Sequence, residues 1–361
     1  MEFRFNDEQA QLRDVVARFC RDKAPSSAVR RVMATDTGHD HDAWRQMGAE
    51  LGLIALHVPE AQGGLGFGAV ELGIVMEELG RSLLPVPYLA SVLATSALAE
   101  IEDASVRDPL MAALVSGSKL ATLVLDSTSG HPVSRELVAQ DDRLTGSVRA
   151  VLDGHRADLL LVVVRAPQAP TLFAVDAASS GLTKRPLQVM DRTRRFAEFR
   201  FDQVPAARLG TLDDWQAERI YDTALVALAN EMAGGAKALL DATVAYTRTR
   251  VQFGRTIGSF QAIKHRLADL LVDVELAKVA GYQAAAALAA GEDVSANASL
   301  AKFVTADAYM GAAREAIQLH GGIGFTWEHD THLWYRRAKS SEVFLGTPAW
   351  HRERMIRELT A

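Results

Sequence analysis

The run Arg250-Val-Gln-Phe-Gly-Arg-Thr-Ile-Gly-Ser-Phe-Gln261 sets a guanidinium, two amides, aromatic rings and glycine turns close together. A planar guanidinium holds a phosphate or pyrophosphate by paired, charge-assisted hydrogen bonds. Phe253 offers an apolar ring beside it, and Gly254 allows a turn between two helices. A second run, Gln318-Leu-His-Gly-Gly-Ile-Gly-Phe-Thr-Trp-Glu328, puts adjacent Gly321 and Gly322 where a ligand can approach the backbone closely. Taken singly, each feature has a plainer use. A lone arginine is more often half of a surface ion pair, and a glycine pair often caps a helix.

Taken together, these residues resemble the signatures of acyl-CoA dehydrogenases. Arg250, Phe253, Gly254, Ile257 and Gln261 stand at the spacing of one family motif, with Gln252 among them; Gln318, Gly321, Gly322, Gly324, Phe325 and Thr326 match another. The loop Pro59-Glu-Ala-Gln-Gly-Gly-Leu-Gly66 and Glu77-Glu-Leu-Gly80 add weaker matches, and the likeness runs over essentially the whole chain. The resemblance implies an FAD cofactor and α,β-dehydrogenation of an acyl-CoA thioester. A carboxylate takes the α proton while the β hydrogen leaves as hydride to the flavin. It also implies that residues of the Arg250 and Gln318 type grip a dinucleotide bound mainly by a neighbouring subunit. Thr347 follows as part of the motif that normally carries the catalytic glutamate.

That glutamate is missing. Phe344-Leu345-Gly346-Thr347 has Leu345 in its place. Some relatives carry the base on the first long helix of the C-terminal region, where the matching position is Ala224, followed by Leu225 in place of the usual arginine. Two acids lie nearby. Asp222 is two residues before Ala224, about 200° around a helix, and is expected to face away as a solvated residue. Glu231 lies seven residues after, on the order of 10 Å along, and is expected to be a polar or partly buried partner at a subunit contact. The stretch Gly146-Ser-Val-Arg-Ala-Val-Leu-Asp-Gly154 puts Ala150 where the family has an aromatic covering the flavin, and Leu152 where it has a flavin-bonding threonine. Every loss falls in the half-site for the chain's own flavin, while the half-site for a neighbour's is intact. The resemblance extends to actinobacterial members, steroid side-chain enzymes among them, built from two unlike chains.

The elements that position these residues follow from periodicity. Residues 1–115 read as helical: Asn6 and Gln9 form a capping box ahead of an apolar stripe at Leu12, Val15, Val16 and Phe19. Trp44, Met47 and Leu51 mark a second helix, and Val75–Leu84 another, ended by Pro85 and Pro87. Residues 116–207 change period. Strands are expected at 120–125, 144–152, 159–164, 171–175 and 196–201, separated by turns such as Asp126–Gly130, in a small antiparallel barrel or sandwich. Residues 211–361 return to long helices, with Ile263, Leu267, Leu270, Leu271 and Val274 on one buried face, and form a bundle whose spare apolar surface packs on another subunit. The expected fold class is α+β: a helical region, a β region and a C-terminal four-helix bundle.

Composition agrees with such a protein and excludes other classes. The 361 residues are 48% hydrophobic and 23% charged. A net charge of −6 gives no support to nucleic-acid binding. The aliphatic run 159–164 is far too short to span a membrane. Cys20 is the single cysteine, and the opening residues lack a basic segment followed by an apolar one, so a cytoplasmic protein is expected. His320, His329 and His332 lack the partners of a metal site, so no metal is expected. Arg336, Arg337 and Lys339 are expected to be a solvated helix face. Ser127 and Ser129 have no convincing histidine partner.

Three functions stay open on the sequence. The first is the non-catalytic half of a heterotetrameric acyl-CoA dehydrogenase, completing the FAD site of a glutamate-bearing partner and passing electrons to an electron-transfer flavoprotein. The second is a self-sufficient homo-oligomer with Glu231 or Asp222 as a relocated base. The third is a non-enzymatic scaffold of the same fold.

Overall fold

A computed structural model describes residues 5–126, 133–165 and 169–360. The turn at 127–130, with Ser127 and Ser129, lies outside the described residues. Helices come first: α1 (Asp7–Lys23), α2 (Ser26–Met33), α3 (His41–Ala49), α4 (Ala69–Ser82), α5 (Tyr88–Ala99) and α6 (Ala104–Val115). The Asn6–Gln9 capping box forms as expected and starts α1. The second expected helix stops at Ala49, short of Leu51, because Gly52 turns left-handed (φ 63°). The third begins six residues earlier than Val75, where Glu71 reaches back to the Gly68 amide.

Strands follow: β1 (Ala121–Val124), β2 (Leu137–Gln140), β3 (Arg143–Leu152), β4 (Leu159–Arg165), β5 (Pro170–Asp176), β6 (Leu182–Pro186), β7 (Phe196–Pro205) and β8 (Ala207–Thr211). They make two four-stranded sheets, ordered β1-β4-β5-β8 and β2-β3-β7-β6. Leu160, Val162 and Phe173 of one sheet share an apolar cluster with Leu144, Val148, Phe199 and Phe201 of the other, so the sheets form a sandwich. Its antiparallel character is broken at β4, which pairs in parallel with β1 and, by a single bridge at Val164, with Ser134. Strand β4 explains this, since Leu159–Val164 is apolar on both faces and buries both, one in the sandwich and one against helices.

The chain ends in α7 (Asp214–Thr249), a hairpin of β9 (Val251–Gln252) and β10 (Arg255–Thr256), α8 (Gln261–Ala289), α9 (Ser295–His320), the single turn α10 (Gly322–Phe325), α11 (Thr331–Val343) and α12 (Pro348–Thr360). Helix α7 is the axis of the bundle. It crosses α4 with no side chains between the backbones: a Cβ at Gly80 would stand 1.9 Å from the Glu231 carbonyl, and one at Gly234 1.9 Å from the Glu77 carbonyl. On α8, Leu270 and Val274 are buried, but Leu271, Val272, Leu276 and Val279 are exposed, so the apolar residues form two faces. No helix among the described residues is long and apolar enough to cross a membrane.

Candidate functional site

The two glycine-containing motifs meet on the surface. Helix α7 ends at Thr249, and Arg250 leaves it in extended conformation. The β9–β10 hairpin turns on Phe253 and Gly254, both left-handed (φ 54° and 77°), as a two-residue hairpin of this twist requires. The amide of Ile257 donates to the Arg250 carbonyl at 2.8 Å and closes this corner. On the far side, α9 ends where the Gly321 N–H donates to the Ile317 carbonyl at 3.0 Å. Gly321 therefore does cap a helix (φ 66°), and a Cβ at Gly321 or Gly322 would touch nothing within 4 Å.

Between these corners lies an open groove of about 450 Å³, lined by Tyr246, Arg250, Gln252, Ile257, Gly321 and Gly322 among others. The Arg250 side chain is exposed, and no carboxylate among the described residues pairs with it. Tyr246 stacks on His320, with ring centroids 4.1 Å apart, and forms part of the wall. The groove fits a phosphate-bearing cofactor: one free guanidinium, one amide and a backbone corner without side chains. Phe253 stands beside it at the hairpin tip, 91% exposed and edge-on to Phe260. Gln261 and Gln318 are exposed at the start of α8 and near the end of α9, outside the lining set. Thr347 lies apart from the groove, and its hydroxyl accepts from the Trp350 amide at the start of α12.

The second candidate region is closed. Leu345 is 1% exposed and Ala224 fully buried, and both belong to the main apolar core with Leu152 and Leu225. The 344–346 turn is held from three sides. Tyr221 donates its hydroxyl to the Leu345 carbonyl (2.6 Å), His351 Nε2 lies 2.8 Å from the same oxygen, and Lys302 Nζ donates to the Gly346 and Glu342 carbonyls. Burial pushes the Lys302 ammonium down to about 7. The turn keeps a left-handed Leu345 (φ 59°) although no carboxylate is there to present. Ala150 sits left-handed (φ 57°) in a bulge between β3 and β7.

Both substitute acids are committed to ion pairs, and both expectations about them need correction. Asp222 is not solvated. It is buried, with Arg354 Nη1 at 2.8 Å and the Ser295 hydroxyl at 2.6 Å, because α7 is flanked by α9 and α12 and has no free face there. Glu231 is not at a subunit contact. It lies inside the chain, bonded to Arg194 from the β region (Nη2 to Oε1, 2.6 Å) and to Arg337 of α11. Arg337 is likewise no solvated face: its Nε reaches Asp191 at 2.7 Å and its Nη2 the Thr193 hydroxyl at 2.6 Å. Burial works against the Arg337 cation, but Asp191 and Glu231 outweigh it and hold its pKa up. Asp153 lies in the same cluster, where burial pushes its carboxyl up to about 7 against the pull of Arg194 and Arg337. The cavity left among these groups, with His39, Tyr88 and Met76 on its walls, measures about 30 Å³, room for a single water. Nothing in the local sequence signals this cluster, since Asp153, Asp191, Arg194, Glu231 and Arg337 come from four separate segments.

Comparison with known proteins places this geometry. The acyl-CoA dehydrogenase C-terminal domain profile matches residues 210–360, and the N-terminal domain profile residues 6–118. The acyl-CoA dehydrogenase IpdE2 of Mycolicibacterium smegmatis is 34% identical over 354 residues, covering 98% of this chain and 99% of that protein. IpdE2 of Mycobacterium tuberculosis is 36% identical over 95% of this chain and 94% of its own length. Among solved structures, a chain of the ChsE4-ChsE5 complex from Mycobacterium tuberculosis superposes with a TM-score of 0.91 at 28% identity, over 100% of this chain and 99% of that one. A chain of the Tcur3481-Tcur3483 steroid ACAD gives 0.90 at 29%, over 98% of each.

Proposed function

The chain belongs to the acyl-CoA dehydrogenase family, and from that premise we propose that it is the non-catalytic half of a heteromeric, FAD-dependent acyl-CoA dehydrogenase. One observation carries the reading. The groove of Arg250, Gln252, Ile257, Gly321 and Gly322 is open, while Leu345, Ala224 and Leu152 are sealed in the core. Arg250 pairs with the pyrophosphate of a dinucleotide held by a partner subunit, Gln252 donates its amide, and Gly321 and Gly322 admit the cofactor to the backbone. Phe253 and Ile257 flank that site, while Gln261, Gln318 and Thr347, outside the groove, are assigned to the cofactor by the family motifs alone. Bound FAD supplies the hydride acceptor. The proton at the α carbon of the acyl-CoA goes to a glutamate of the partner, since this chain offers Leu345 at that place.

Two neighbours support an unlike partner, because the ChsE4-ChsE5 complex and Tcur3481-Tcur3483 are each named for two components. The ion pairs of Glu231 and Asp222 weigh against a relocated base. The regions 1–115, 116–207 and 211–361 then serve as a helical support, a β support and the flavin-contacting, assembling bundle. Electrons leave through an electron-transfer flavoprotein, in the cytoplasm.

The test is co-expression with acyl-CoA dehydrogenase-like chains encoded beside this one that keep the glutamate. Yellow colour and acyl-CoA oxidation are expected only in the co-purified complex. Full activity of the isolated chain on any acyl-CoA would sink the proposal. A complex that binds neither flavin nor acyl-CoA would favour a scaffold.

A further inference from the structure

We infer that Asp153 is a proton-operated latch: uncharged, it completes the buried cluster that fastens the β region to helices α7 and α11, and its ionisation loosens that junction. The device is independent of the flavin groove.

The charge count of the cluster carries this. Arg194 Nη2 meets Glu231 Oε1 at 2.6 Å, Arg337 bonds the same carboxylate, and Arg337 Nε takes Asp191 at 2.7 Å. Two cations and two anions sum to zero. Asp153 is a third acid in this place, only 9% exposed, and among the described residues it forms no ion pair. Once ionised, it puts an extra negative charge in a buried site whose guanidiniums are already engaged. The cavity beside it, about 30 Å³, holds one water, too little to solvate a carboxylate.

No neighbouring element supplies a compensating cation. His39, on the α2–α3 connection, also lines the cavity and is held neutral: burial, then Arg156, His155 and His41, push it down to about 4. Burial likewise pushes His155 down. Tyr88 of α5 and Tyr309 of α9 are phenols that burial keeps protonated, and α4 adds only Met76 and Leu79 to the wall. Arg195 is committed elsewhere, donating to the Met33 and Thr35 carbonyls at 2.9 and 2.8 Å. Burial accordingly pushes the Asp153 carboxyl up to about 7, against the pull of Arg194 and Arg337.

The place of Asp153 makes its proton matter to the fold. Its N–H donates to the Arg195 carbonyl at 2.9 Å, so it is tied to the loop 187–195. That loop reaches α7 through Arg194 and α11 through Asp191 and Thr193, while Arg192 and Arg195 hold the end of α2. One segment thus fastens the β region to the bundle and to the N-terminal helices. An unbalanced charge beneath it acts on both attachments.

The experiment is amide hydrogen exchange on the isolated full chain at pH 6 and pH 8.5, corrected for the intrinsic effect of pH. With a folded pKa near 7 and an ordinary 3.8 once the latch opens, the opening equilibrium of the loop 187–195 is expected to rise about tenfold over that interval. Asp153→Asn keeps the shape of the uncharged acid and tolerates the left-handed backbone at this position (φ 50°). Its loop is expected to stay within about twofold at both pH values, since it has no proton to lose. An unchanged parent loop overturns the inference, as does an equal rise in parent and variant. A rise spread evenly over the whole chain, α8 included, also overturns it, because it reports global unfolding. If the variant fails to fold, the infrared spectrum of the parent decides. A protonated-carboxyl band present at pH 6 and lost by pH 8.5 keeps the latch, and its absence at pH 6 removes it.

Discussion

The open groove at Arg250 and the closed core at Leu345 are built from the same long helix. Helix α7 delivers Arg250 at its exposed C-terminal end and Ala224, Leu225 and Glu231 along its buried middle. At one place the helix ends in an unpaired cation and side-chain-free backbone, ready for an anion. At the other, apolar side chains and paired charges fill the space. The lesson is that loss of a catalytic residue leaves two outcomes open, a vacant pocket or a repacked one. Here Leu345 and Ala224 are packed into the core. The polar groups beside it, Glu231, Arg194 and Arg337, are turned inward against one another, while the groove stays open.

Breaking the closed side is expected to have the largest effect. Glu231→Ala leaves Arg194 and Arg337 without a shared carboxylate in a buried site, a loss of about 3–5 kcal/mol in stability. Urea unfolding measures it, and activity per folded complex should not change. A stable variant with abolished turnover would instead make Glu231 a base. On the open side, Arg250→Ala removes charge-assisted bonds worth about 1.5–3 kcal/mol. Flavin affinity of the complex, followed by fluorescence titration, is expected to fall on the order of 10- to 100-fold with no change in the melting temperature of the flavin-free chain.

Gly80→Ala tests the α4–α7 crossing that carries Glu231 inward. Its new methyl meets the Glu231 carbonyl and is expected to cost about 1–3 kcal/mol, read from the denaturation midpoint. A further test concerns pH. Asp153 has a folded pKa near 7 against an ordinary 3.8, so its protonation favours the native state. That stability is fully present below pH 3.8 and is lost as pH rises through 7. Relative to Asp153→Asn, the parent should therefore gain in melting temperature as pH falls from 8 toward 4. A gap between the two that ignores pH would place the Asp153 titration elsewhere.

The groove was legible because its parts are local. Arg250, Gln252 and Ile257 sit in one short run, and Gly321 and Gly322 are adjacent, so their types and spacing carry the signal. The long helices were legible from apolar period, and strands β1, β3, β4, β5 and β7 from short β-branched or alternating runs. Strands β2, β6 and β8 escaped because they bury little; Leu182–Pro186 of β6 has almost no buried face. The parallel β1–β4 pairing escaped because a doubly buried strand has no alternation to read. The charge cluster was misread for a different reason. Asp222 and Glu231 find arginines more than a hundred residues later, and a charge on a helix reads as solvated until its distant partner is known.

The cavity of about 30 Å³ beside Glu231 bears on supply as well as chemistry. A protein that binds its cofactor draws stability from it by mass action and loses that share when the cofactor is scarce. A core filled by its own side chains draws nothing from the ligand in its interior. On the proposed reading, this subunit folds to its full internal stability whether or not flavin is at hand, while its partner waits on the supply. The complex would then be limited by the chain that holds the flavin, with this one standing ready in excess.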